Sequence, residues 1–222
     1  MTRSVPLALL FVLFGCNVTD TGNPPAAPPT VVPEQVTGMS LLGGSIVLQA
    51  SPGAVDPGNG TARLFNLDNM AAPTDAPVND DGSFSAELLA ELTDTVRLQI
   101  IDGDLRSEPV DARNEFRDIV PAEPACLELP AWITVEVDGT GEAVIPVVNR
   151  CSEAIVWGAV FPRRDSGPVE ISAPMPEPLP PSATTELRIT ITSGAATDAV
   201  LFLSTVSPVA ARRAITIAVT AP

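Results

Sequence analysis

Residues 94–104 read DTVRLQIIDGD, and the fold is decided here. Val96, Leu98 and Ile100 alternate with Arg97 and Gln99. Successive side chains of a strand point to opposite faces, so this period of two predicts a half-buried β-strand. Asp102-Gly103-Asp104 then supplies turn chemistry: glycine accepts positive φ, and aspartate bonds its own nearby backbone.

The same pattern extends outward in both directions. Ile46 and Leu48 share one side of an earlier run. Ser51-Pro52-Gly53, Asp56-Pro57-Gly58 and Asp80-Asp81-Gly82 punctuate the chain with further turns. Residues 85–94, SAELLAELTD, carry helix formers and a serine able to cap a helix. However, Phe84, Ala86 and Leu88 also alternate behind a glycine turn, and the strand reading is preferred. Short strands at this spacing predict a small β-sandwich over 37–116.

A second set of runs fills 124–222. Ile133, Val135 and Val137 alternate, as do Leu187, Ile189 and Ile191, and then Ile215, Ile217 and Val219. Between them lie apolar runs at 143–148, 155–161 and 200–203, and no helical period of useful length appears. A second sandwich is expected there, joined to the first by a linker over 117–123. The predicted fold class is all-β: two tandem immunoglobulin-like sandwiches.

Composition narrows the function. The chain of 222 residues carries a net charge of -15, with 12 basic residues and no histidine or tyrosine. All the basic residues are arginine. Nucleic acid is excluded as a partner because no basic surface offsets phosphate charge. Without histidine or lysine, Ser-His-Asp, Cys-His, Ser-x-x-Lys and P-loop chemistries cannot be built. Nothing in the sequence pairs two carboxylates for acid–base work, so no catalytic residue and no cofactor is assigned. Asp80, Asp81, Asp102 and Asp104 lie in turns, but the D-x-D-x-D-G-x5-E calcium loop is missing. Two thiols without histidine are too few for zinc, so no metal residue is assigned either. Trp132 and Trp157 could form a sugar platform, but within strand-like runs they read as core.

The N-terminus supplies an address. Arg3 precedes an apolar run, Pro6 to Phe14, that is too short to span a bilayer. This is a secretory signal pattern. It ends Leu13-Phe14-Gly15-Cys16, which resembles the lipobox of bacterial lipoproteins, with Phe14 where that family has a small residue. The resemblance implies a signal peptide over 1–15, cleavage before Cys16 and a thioether-linked lipid on its thiol, so that the protein meets the membrane through its N-terminal lipid. Multiple acyl chains make such an anchor stable, where a single one binds only marginally. Asn17 after the cysteine points, by the same resemblance, to the outer membrane of a bacterial envelope. Residues 17–36, NVTDTGNPPAAPPTVVPEQV, hold five prolines and read as a tether completing the anchor segment 16–36. Fully extended, those residues reach about 60 Å.

With Cys16 committed to lipid, Cys126 and Cys151 remain as an even pair in an exported chain. A hairpin turning at Asp138-Gly139-Thr140-Gly141 would bring them onto neighbouring strands, and a disulfide is expected.

Two further resemblances concern the domains. SPGAVDPG, ARLFNLDN, NDDGSFSAEL, DTVRLQIIDGD and SEPV together resemble bacterial Ig-like modules of secreted proteins; a carboxypeptidase-regulatory-like sandwich shares the DG-x-F element. CLELPAWITVEVDGTGEAVIPVVNRCSEAI, PLPPSATTELRITI and AVLFLSTVSP with AITIAVTAP resemble the ASH family, named for abnormal spindle and hydin, and related sperm-protein-like sandwiches. These imply a binding or scaffolding module. The expectation is therefore a non-enzymatic envelope lipoprotein, structural or protein-binding, whose partners are other envelope proteins. The alternative is a calcium- or glycan-binding surface lipoprotein.

Overall fold

The computed structural model describes residues 26–163, 167, 169–172, 178–194 and 197–221. Among these the one helical segment is the 3-10 turn Pro33–Gln35; the rest is strand and loop. The first sandwich contains β1 (Thr30–Val31), β2 (Val36–Leu41), β3 (Ser45–Ala50), β4 (Val55–Asp56), β5 (Thr61–Asn66), β6 (Thr74–Pro77), β7 (Phe84–Leu89), β8 (Val96–Asp102), β9 (Leu105–Arg106), β10 (Val110–Arg113) and β11 (Asp118–Ile119). One sheet runs β2-β3-β7 and the other β11-β10-β8-β5-β6, with β9 on β8. Ile46, Leu48 and Leu88 from the first sheet meet Leu64, Leu98 and Ile100 from the second in one buried cluster. Each such side chain contributes about 1.5–3 kcal/mol through burial. Phe84–Leu89 is a strand with strictly alternating burial. Burial of Phe84, Ala86 and Leu88 outweighs the helix propensity of the same residues.

Both expected boundaries shift. The tether assigned to 16–36 ends earlier. Thr30 and Val31 pair antiparallel with Asp56 and Val55. Val31 packs on the first core, and Val36 is buried. The linker assigned to 117–123 begins inside the first sandwich, because Asp118 and Ile119 pair with Arg113 and Ala112. Two-residue strands are too short to show a period, so neither is visible as alternation.

Asn114, Glu115 and Phe116, just before β11, are consecutive left-handed residues with φ of 51°, 59° and 63°. That conformation costs about 1–2 kcal/mol per residue. It is offset locally. The Glu115 carboxylate accepts the Ser40 N–H at 2.9 Å, and its carbonyl accepts the Gly38 N–H at 2.9 Å. Phe116 is buried in the core. A Cβ at Gly38 would collide with the Glu115 backbone, so this close approach requires glycine.

The second sandwich contains β12 (Leu127–Glu128), β13 (Trp132–Glu136), β14 (Gly141–Asn149), β15 (Val156–Pro162), β16 (Val169–Ile171), β17 (Thr184–Ile191), β18 (Thr197–Ser207) and β19 (Ala211–Thr220). Its sheets are β12-β14-β17-β16 and β13-β19-β18-β15. Ile145, Leu187 and Ile189 pack against Leu201, Ile215 and Ile217 between them. The hairpin expected to turn at 138–141 does not form. After β12 the chain crosses at Pro130, and β13 joins the opposite sheet, parallel to β19. The cysteines meet for a different reason: Leu127 pairs with Asn149, which sets Cys126 beside Cys151. The two are disulfide-bonded, with Cα atoms 4.9 Å apart. The chain is thus an all-β protein of two immunoglobulin-like sandwiches.

Candidate functional site

The most heavily built feature lies where the two sandwiches meet. Strand β8 directs Val96, Leu98 and Ile100 into its own core. Its other face was expected to meet solvent, yet Arg97 is 3% exposed and Gln99 is 0% exposed. The cover is the β18–β19 face of the second sandwich. Ile215 and Ile217 of β19 point into their own core, and the alternate residues Ala214, Thr216 and Ala218 are buried on the opposite side. Phe65 and Leu67 of the first sandwich join Val200, Phe202 and Ala214 of the second in a separate apolar cluster.

Among the described residues, five arginines bond across this seam. Arg97 holds Asp111 with a two-pronged grip of 2.7 and 2.8 Å. Its guanidinium also donates to the Thr216 hydroxyl at 3.0 Å and to the Ala214 carbonyl at 2.8 Å. Arg63 and Arg106 converge on Asp198, whose side chain is 3% exposed. Hydrogen bonding to Asp75, followed by Asp198, holds the Arg63 guanidinium more firmly protonated than usual despite its burial. From the second sandwich, Arg163 donates to the Asn69 and Ala71 carbonyls. Arg212 donates to Asp68 at 2.6 Å and lies over the Phe202 ring. Partial burial of Asp68 favours its neutral form, but hydrogen bonds from Thr95 and Arg212 prevail and hold its pKa below the usual carboxylate range.

Arginine suits this position because its planar fork satisfies several acceptors at once while its stem remains apolar. Sequence reasoning missed these residues. The available signal was an arginine placed mid-strand, as at Arg97, in a chain without lysine.

Two adjoining clefts of about 290 and 90 Å³ open along one edge of the seam and share Asp111, Val120, Pro121, Arg212 and Ala214. A separate groove of about 420 Å³ lies between the 67–70 loop and the end of β15.

The residues singled out in the sequence lie elsewhere. Cys16 and Asn17 fall outside the described residues. Asp81 accepts the Ser83 N–H and hydroxyl at 3.0 and 2.6 Å, and these bonds lower its pKa. Asp102 accepts from Asn59 at 3.0 Å. Both aspartates therefore brace turns. Among the described residues no three His, Cys, Asp or Glu side chains gather to hold a metal ion. Trp132 and Trp157 stand on opposite edge strands of one sheet, roughly 14 Å apart sideways, too far for a shared sugar platform. Trp157 packs on the second core.

Comparison with protein families and with curated proteins returns no match. Among solved structures, the chain is similar to a protein of unknown function from Porphyromonas gingivalis at 13% identity. That match covers 86% of this chain and 100% of the other, with a TM-score of 0.34. The Vibrio cholerae VesB protease aligns at 8% identity over 65% of this chain and 48% of its own, with a TM-score of 0.35. A titin tandem of immunoglobulin domains aligns at 10% identity over 88% of this chain and 98% of its own, with a TM-score of 0.23. Likeness at these scores carries no argument about function. The fold rests on the strand pairing described above.

Proposed function

We propose that this chain is a non-enzymatic lipoprotein of a bacterial envelope, anchored through lipid on Cys16, which displays its two sandwiches as a structural or protein-binding module. The seam carries the reading. Buried arginines and a shared apolar cluster join two sandwiches that a flexible linker would otherwise leave independent. A unit that holds a fixed shape on a tether suits display or spacing at a membrane. The resemblance of LFGC at 13–16 to a lipobox supports the anchor, and the outer membrane is the proposed destination. A chain without histidine or lysine cannot build the common nucleophilic triads, which supports a role outside catalysis.

The anchor is tested by metabolic labelling with an acyl probe and by globomycin. Labelling lost in Cys16→Ala and a precursor that accumulates with globomycin are expected; a wild type that incorporates no lipid overturns it. The binding role is tested by affinity capture of the lipidated protein from native membranes. A stoichiometric envelope protein is expected, and capture of none overturns the protein-binding role.

A further inference from the structure

Four of the twelve arginines line the adjoining clefts: Arg97, Arg113, Arg212 and Arg213. Two acids line the same walls, Asp111 and Glu123. In a chain of net charge -15, this concentration of positive charge runs against the rest of the molecule.

The four cations fall into two groups. Arg97 is held by Asp111 and Arg212 by Asp68. Arg113 donates only to the Thr95 hydroxyl at 2.8 Å, and Arg213 only to the Leu127 carbonyl at 3.2 Å. Neither has a carboxylate partner among the described residues. A guanidinium carries five N–H donors, so most of the hydrogen-bonding capacity of both is unspent. Burial, and then the nearby Arg97 charge, hold the Arg213 pKa below its usual value, while Asp111 and Glu123 pull the other way. A half-buried cation facing a second cation is stabilised by an anion brought to it. Apart from Thr95, the remaining lining of the larger cleft, which includes Leu67, Val120, Pro121 and Ala214, is apolar.

We propose that the two adjoining clefts together bind a small organic anion, its carboxylate or phosphate head held where they join, between Arg113 on the wall of the larger and Arg213 on the wall of the smaller, and its short apolar body seated in the larger against Leu67, Val120 and Pro121. Arginine forks match both head groups through paired N–H···O bonds. The cleft volume of about 290 Å³ stands at the small end of the range for ligand sites, which fits a compact ligand. Arg113 belongs to the first sandwich and Arg213 to the second, so the bound anion bridges the seam and raises the melting temperature of the whole.

The test uses the full chain purified in a neutral detergent at fixed ionic strength. Thermal unfolding and calorimetry are run with acetate, butyrate and inorganic phosphate. A saturable rise in melting temperature is expected with butyrate, with phosphate or with both, and the pattern identifies the head group. Butyrate should bind several-fold tighter than acetate through its extra apolar surface; equal binding of the two removes the apolar half of the proposal. Arg113→Gln is expected to weaken binding at least tenfold. Arg213→Gln should do the same, and the exposed Arg113 keeps the test valid if the half-buried Arg213 variant fails to fold. Glu123→Gln should tighten binding by removing a competing charge. Arg188→Gln, which loses a surface pair with Glu186 on β17, should leave binding unchanged. The proposal is overturned if none of the three anions gives a saturable shift. It is equally overturned if Arg113→Gln and Arg188→Gln change the response alike.

Discussion

The two outward faces of the first sandwich are treated in opposite ways. The β2-β3-β7 sheet shows water an apolar row: Met39 is 54% exposed, Leu41 38% and Leu89 61%. The β5-β8 face carries Arg63, Arg97 and Gln99, and it is the covered one. A hydrophobicity rule alone would cover the first face and expose the second. The difference is complementarity. The second sandwich brings Asp198, Thr216 and the Ala214 carbonyl to meet the fork donors of Arg63, Arg97 and Arg106, and it brings Phe202 to meet Phe65. A buried polar face is tolerable only when its donors are satisfied, and here most of them are.

The strongest challenge to that account is Arg97→Ala. It leaves Asp111 without its partner and takes a donor from the Ala214 carbonyl and the Thr216 hydroxyl. Breaking a buried pair in this way costs about 3–5 kcal/mol. Both tryptophans lie in the second sandwich, so fluorescence reports that unit and far-ultraviolet circular dichroism reports both. In urea the two signals should coincide for wild type and separate for the variant. Coincident curves with a loss below about 1 kcal/mol would sink the idea that the seam couples the sandwiches.

Removing the disulfide with Cys126→Ala and Cys151→Ala probes the second sandwich away from the seam. A separation of 25 residues gives about 3.5 kcal/mol on loop-entropy grounds. The loss should appear first in the tryptophan signal. If the first sandwich unfolds concurrently, the seam transmits the damage and the coupling is stronger than the bonds alone imply.

Asp68→Asn weakens one cross-seam bond at its edge. The wild-type pKa is held below the usual carboxylate range, so the stabilisation from Asp68 is complete above about pH 4 and is lost as pH falls through the lowered value. Asp68 is only partly buried, which limits the effect to about 1 kcal/mol at neutral pH. The difference between variant and wild type should be flat from about pH 5 to 8 and close in acid, as pH falls through the lowered pKa of Asp68. A gap that persists undiminished in acid would show that the carboxylate charge is not what matters.

The contrast between the two faces also marks what the sequence could show. Alternation in 94–104 identifies a strand and which residues share a side, and both readings hold in β8. It says nothing of what covers the second side, because Arg97 and Gln99 read the same whether they meet water or another domain. Runs 132–137 and 141–148 likewise alternate identically in a hairpin and in strands of two sheets. Pro130, where a ladder donor is lost, was the one local hint of the crossing. The cysteine pair was legible from parity alone, although the route that brings them together was not. The seam arginines were illegible as a group because they come from β5, β8, β9 and β19 and from the residue after β15, and only the pairing of the sandwiches gathers them.

The smallest expected effect tests the exposed face. Leu89→Ser replaces an apolar side chain that is already mostly in water and contributes little burial to lose. Its neighbours in register are Ser45 and, beyond it, Leu41. Ser45 is 6% exposed although it lies on the outward side, and its hydroxyl donates to Glu87 at 2.7 Å. The exposed leucines therefore flank one satisfied polar group, and trimming one of them should change stability by no more than about 0.5 kcal/mol. A loss above about 2 kcal/mol in urea unfolding would mean that Leu89 is buried in the folded protein in solution. The apolar face would then be covered, and the contrast with the arginine seam would become one between two kinds of covered surface.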